Sequence, residues 1–145
     1  MRCCRKHLQH THGGIKLAHY FVLTLTANPM STFDHTSLIQ NINAHLAPLR
    51  KAQPEAMQGF GQLAKASMAE GAISAKHKEL MALAIGITQH CSGCIGFHIK
   101  ALIKLACSRQ ELEEMLTVCV YMGGGPALMY TAEALAAFDK MSAPA

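Results

Sequence analysis

The sequence predicts an all-α domain of about six helices, and three observations lead there. From about Ser37 onward, apolar residues recur at helical spacing in one segment after another. No segment shows strand-like alternation flanked by turns in this region; "YFVLTLT" is the best strand candidate and lies upstream, in the basic N-terminal stretch. The connections between the periodic segments are short, so successive helices should pack as antiparallel neighbours. At 145 residues, half of them apolar, the chain suffices for one core.

The elements follow in order. "TSLIQNINAHLAPL" opens with Thr36 or Ser37 as cap and puts Leu38, Ile42 and Leu46 on one face. Pro54 suits the first position of a second helix, in which Met57, Phe60, Leu63 and Ala64 continue the apolar face to about Glu70, with Gly71 closing it. Ser74 caps a third helix, "AKHKELMALAIGITQ", striped by Leu80, Leu83, Ala84 and Ile87. A fourth begins near Cys91 or Ser92 and runs to about Cys107. Ser108 caps a fifth, with Glu111 in its first turn facing the positive end of the helix dipole. Gly123-Gly124-Gly125-Pro126 then makes a tight turn into the last helix, "ALMYTAEALAAFDKM".

Charge divides the chain. Residues 1–29 hold Arg2, Arg5, Lys6 and Lys16 and no acid, whereas residues 30–145 balance nine Lys/Arg against nine Asp/Glu. The domain is therefore placed at 30–145. The first 29 residues are a separate arm, read as a signal-like segment, as a flexible or partner-swapping extension, or as sequence preceding a true start at Met30. A neutral, Trp-free domain argues against nucleic-acid binding. No run approaches the roughly 18 apolar residues of a membrane span. Cys107 and Cys119 are single residues on apolar helical faces, where a free thiol acts as a small hydrophobe. With no disulfide framework evident, a reducing cytoplasm is expected.

Chemistry concentrates in "QHCSGCIGFHIK", Gln89 to Lys100. If Cys91 and Cys94 begin the fourth helix, its unpaired N–H groups and positive dipole end favour thiolate, the nucleophilic form. The two-residue spacer lets the sulfurs meet. His98, four residues after Cys94, shares its helix face. An antiparallel hairpin of the third and fourth helices, turning near residues 89–91, leaves Glu79 and Cys94 about 9 Å apart in level, with His98 between them. That permits a line from carboxylate to imidazole to thiol. Gly93 and Gly96 serve either close substrate approach or helix packing. His90, just outside the pair, is either functional or a helix-end residue. Three other readings of the cluster compete. Zinc accepts two sulfurs and two nitrogens, although adjacent His90 and Cys91 are awkward ligands for one tetrahedral ion. A non-enzymatic redox sensor or scaffold uses the disulfide to change assembly. Plain packing residues need no function at all.

At these residues the sequence resembles the AhpD-like alkylhydroperoxidase group of the carboxymuconolactone decarboxylase family. That pattern is a glutamate, eleven residues, Cys-x-x-Cys, three residues and a histidine; here it is met by Glu79, Cys91, Cys94 and His98. The stretch from Lys76 to Tyr130, including "GGGPALMY", is similar to the family core. The resemblance implies an all-helical fold with a central hairpin carrying the cysteines, and assembly as a homo-oligomer, often a trimer or hexamer. It implies an antioxidant enzyme that reduces hydroperoxides, or disulfides, with Glu79, Cys91, Cys94 and His98 as catalytic residues. Cys94 attacks, Cys91 resolves, and a thiol reductant protein, lipoyl-bearing or thioredoxin-like, restores the pair. No cofactor or metal is implied. One position departs: some members have a second histidine where this chain has Gly93, which bears on peroxidase efficiency more than on disulfide reduction.

Overall fold

A computed structural model describes residues 33–143 of the chain. The arm at residues 1–29, and the strand candidate within it, lie outside the described residues. The remainder is all helical: α1 (His35–Ala52), α2 (Pro54–Ser67), α3 (Ala75–Thr88), α4 (Ser92–Lys104) and α5 (Arg109–Ser142). The expected sixth helix is the second arm of α5, which bends at Gly124, a residue with φ 63° and ψ −151°. Only glycine takes such a conformation readily. A Cβ at Gly123 would lie 2.6 Å from the Cβ of Ala127, so the elbow has no room for a side chain there. The glycine run thus works as the expected close turn, but as a break within one long helical element.

α3, α4 and both arms of α5 pack on one another, and α1 lies across α4. The core is drawn from all three packed elements. Leu83 and Ile87 come from α3, Ile95, Ile99 and Leu102 from α4, and Leu112 and Leu116 from α5; all are fully or almost fully buried. Burying each such side chain contributes roughly 1.5–3 kcal/mol. α2 differs. It packs on α1, none of its residues is buried, and Phe60 and Leu63 remain 68 % and 64 % exposed. The periodic apolar face expected there exists, but its Phe60 and Leu63 are left largely uncovered by the described residues.

The helix ends show what local sequence rules capture and miss. Asp34, rather than Thr36 or Ser37, caps α1: it accepts from the backbone N–H of Thr36 (3.2 Å) and the hydroxyl of Ser37 (2.6 Å). α2 stops at Ser67, before the expected Glu70. α4 stops at Lys104, before the expected Cys107. α3 and α4 both end in the same hydrogen-bond pattern. After α3, His90 N–H donates to Ile87 C=O (3.1 Å) and Cys91 N–H to Gly86 C=O (2.9 Å). After α4, Ala106 donates to Ile103 (3.1 Å) and Cys107 to Leu102 (3.0 Å). Each needs a left-handed residue, taken by His90 (φ 56°) and Ala106 (φ 53°) where glycine is usual. Ala106→Gly is therefore expected to stabilise the protein by about 0.5–1 kcal/mol, read as a raised denaturant midpoint at unchanged slope.

Ser108 and Glu111 form the expected cap of α5, and the structure adds a partner. Ser108 N–H donates to the Glu111 carboxylate (2.7 Å), Glu111 N–H donates to the Ser108 hydroxyl (3.1 Å), and Lys76 donates to the same carboxylate (2.7 Å). Lys76 is thus a tie between the starts of α3 and α5, not a simple surface residue. The Lys76 bond first, then those from Ser108, hold the Glu111 carboxyl down at about 2, against an ordinary 4.5. A depressed carboxyl stabilises the fold above its unfolded value, and that contribution is lost as pH falls through the folded one. Stability should therefore decline between about 4.5 and about 2 as Glu111 takes up its proton. In acid unfolding followed by circular dichroism, Glu111→Gln should be less stable at neutral pH and show a flatter decline across that window.

Candidate active site

The turn that ends α3 delivers the chain directly into the cysteine pair. Because Cys91 N–H is tied to Gly86 C=O, Cys91 emerges at the helix end and becomes the N-cap of α4. Its sulfur accepts from the backbone N–H of Cys94 (3.2 Å), one of the otherwise unpaired donors of the first turn. Cys91 and Cys94 are joined by a disulfide, with Cα atoms 5.3 Å apart. Both cysteines are half-buried, so the pair is neither sealed nor fully in solvent.

Glu79 reaches the site from α3. Its Oε2 lies 2.7 Å from Nδ1 of His98, with the two side chains 14 % and 28 % exposed. A carboxylate can only accept, so Nδ1 carries the proton of this bond, and in the neutral imidazole Nε2 keeps its lone pair. Cys91, Cys94 and His98 line one shallow depression of about 390 Å³, together with Ala82, Ile85, Gly86 and Gln89. All four residues expected to carry chemistry are thus gathered at the meeting of α3 with α4. The lining from α3 was not singled out by sequence reasoning. Its signal was the spacing of residues 82, 85, 86 and 89, one face of the helix beside Glu79. Gly86 matters most. A Cβ there would stand 3.1 Å from the Cβ of Cys94, so its lack of a side chain lets α4 sit close against α3 at the reactive residue.

The two glycines around Cys94 resolve in favour of packing. A Cβ at Gly93 would lie 3.0 Å from Cδ1 of Ile42, and one at Gly96 would lie 3.1 Å from Ile39 and 3.3 Å from the His35 ring. α1 therefore packs against the positions flanking Cys94, and a side chain at residue 93 would have to displace the end of Ile42. His90 does not line the depression; its ring stacks on Tyr130 with centroids 4.8 Å apart. Tyr121 points into solvent, 84 % exposed. Among the described residues, no three His, Cys, Asp or Glu side chains are grouped to hold a metal ion.

Cys107 and Cys119 make the contrast. Both are free and buried, and burial pushes both thiols up, away from the reactive thiolate. No described helix is long and apolar enough to cross a membrane.

Comparison with known proteins agrees with this architecture. Residues 54–137 match the model of the carboxymuconolactone decarboxylase family. An uncharacterised protein of Cupriavidus necator is 37 % identical over 112 residues, spanning 77 % of this chain and 99 % of the relative. Uncharacterised protein 4 in the cox locus of Paracoccus denitrificans is 27 % identical over 99 residues, 68 % and 89 % of the two chains. A crystal structure of an apo carboxymuconolactone decarboxylase family protein from Legionella pneumophila superposes with a TM-score of 0.74 at 49 % identity, covering 75 % of this chain and 97 % of that one. The helical fold, the extent of the family match and the near-complete coverage of these relatives agree: the chain belongs to the carboxymuconolactone decarboxylase family.

Proposed function

We propose that the protein is a thiol-dependent oxidoreductase that reduces hydroperoxides through the Cys91–Cys94 pair. The observation that carries this reading is a disulfide at a helix N-terminus, opening into the same depression as a carboxylate-braced imidazole. In the reduced protein the positive end of α4 stabilises a thiolate at Cys94, and Nε2 of His98 takes its proton. The thiolate attacks one peroxide oxygen and the O–O bond breaks. The alcohol leaves with the proton held by His98, and Cys94 becomes a sulfenic acid. Cys91 then attacks the Cys94 sulfur, forming the disulfide and releasing water. Two thiols lose two electrons and two protons, and the peroxide becomes an alcohol and water. A dithiol reductant, lipoyl-bearing or thioredoxin-like, returns both electrons and protons by exchange.

The same pair run against a disulfide substrate gives a disulfide reductase. Glycine at residue 93 supplies no second imidazole, which favours keeping this second reading, because exchange needs one base rather than two. The exposed Phe60 and Leu63 of α2, and Met122 and Met129 around the α5 elbow, support a homo-oligomer, trimer or hexamer, in which these side chains are covered. Hydroperoxide consumption with lipoylated protein, thioredoxin and a small dithiol in turn tests the reading. Catalytic turnover with any of them supports an enzyme. Reversible oxidation with no turnover, accompanied by a change of assembly, turns the protein into a redox sensor instead.

A further inference from the structure

A second hollow, larger than the depression at the cysteines, opens on the far side of α4. It has a volume of about 430 Å³ and is framed by α1, the C-terminal half of α4 and the end of α5. Its floor is apolar, made by Ile39, Ile103 and Met141, while Lys100, Lys104 and Lys140 stand around it. Lys100 and Lys104 are four residues apart and share one face of α4. Lys140 is met by Asp34 at 3.1 Å, but among the described residues no carboxylate lies within ion-pair distance of Lys100 or Lys104. Gln40 and Asn43 on α1 bring amide groups to the opposite wall.

We propose that this hollow binds a small amphipathic anion, a carboxylate with a short apolar chain. Two ammonium groups without anionic partners at the rim of an apolar floor repel each other, and a carboxylate between them removes that repulsion while the amides supply hydrogen bonds. The floor then receives the apolar chain, which a bare inorganic anion leaves uncovered and a neutral alkane reaches without using the lysines. The volume lies within the roughly 300–1,000 Å³ of small-molecule sites. The hollow shares no lining residue with the depression at the cysteines, and at about 100° per residue Lys100 and Ile103 lie on the side of α4 away from Cys94 and His98. Binding here therefore does not compete for the thiol site. Ile39 lines the hollow and also packs against Gly96, two residues from Cys94, so one side chain connects the hollow to the part of α4 beside the disulfide.

Calorimetric titration of the full chain with sodium decanoate, below its micelle-forming concentration, tests the proposal. Decanol, decyltrimethylammonium and inorganic phosphate serve as comparison ligands. Saturable one-to-one binding of decanoate is expected, tighter than that of any comparison ligand. The joint Lys100→Gln and Lys104→Gln variant should weaken it about fivefold or more, and Cys94→Ser should leave it unchanged. Matching thermal unfolding of the double variant and wild type excludes misfolding as the cause. No saturable binding of decanoate, equal binding of decanol or phosphate, or an unaltered affinity in the double variant would each overturn the assignment.

Discussion

Replacing Cys94 with serine is expected to lower turnover of hydroperoxide by on the order of 10³-fold or more, because Cys94 is the proposed attacking thiol and its neighbour in the depression, Cys91, is the α4 cap that resolves. Serine preserves the size of the side chain and the α4 cap while removing a group that can become a thiolate near neutral pH. Cys91→Ser should behave differently. Its Cys94 still attacks, so about one equivalent of peroxide is consumed per chain before the reaction stops at a sulfenic acid with no partner to resolve it. Single-turnover peroxide consumption with mass analysis of the product separates the two: a mass gain of one oxygen on Cys94 in Cys91→Ser, and none in Cys94→Ser. The reverse pattern makes Cys91 the attacking residue. Equal, full turnover in both variants removes the redox pair from the reaction. The buried Cys107 and Cys119, whose thiols are pushed up by burial, offer no substitute.

The second large effect is expected at the imidazole. His98→Ala should lower kcat by about 10²–10⁴-fold, the usual contribution of a positioned general base. Glu79→Gln should cost less, roughly ten- to a hundredfold, since an amide oxygen can still accept from Nδ1 but cannot stabilise an imidazolium as a carboxylate does. The two residues form one unit across a 2.7 Å bond, so the double variant should be little worse than His98→Ala alone. Strict additivity of the two losses in a double-mutant cycle would show that Glu79 and His98 act independently. Disulfide exchange with a small dithiol gives a second readout. If His98 acts as the base, its loss should be partly recovered at alkaline pH, where the thiolate forms without help.

The glycines show where legibility ended. Gly93 and Gly96 read equally well as openings for substrate or as contacts for a helix, because a sequence does not say which face of α4 another helix covers. Ile39, Ile42 and His35 supplied that answer by closing against both positions. The ends of α3 and α4 were hidden for a different reason. His90 and Ala106 take left-handed backbone conformations without the glycine that would announce them, held there by paired hydrogen bonds to the preceding turn. Asp34 was passed over as a cap because Thr36 and Ser37 carry the same chemistry nearby, and only the bonds show which side chain is used.

The sequence by itself determined the all-helical class, the capped starts of α3 and α5, and the four residues gathered between α3 and α4, because all of these rest on spacing along the chain. A helix with a fixed rise brings Glu79, Cys94 and His98 to neighbouring levels once the hairpin closes, whatever surrounds them. Only the tertiary structure decided which glycine flank is covered, how closely α4 approaches α3 at Gly86, and that three lysines and an apolar floor enclose a hollow behind α4. Those features arise from side chains far apart in sequence, and their meeting depends on the packing of whole helices, which no local pattern encodes.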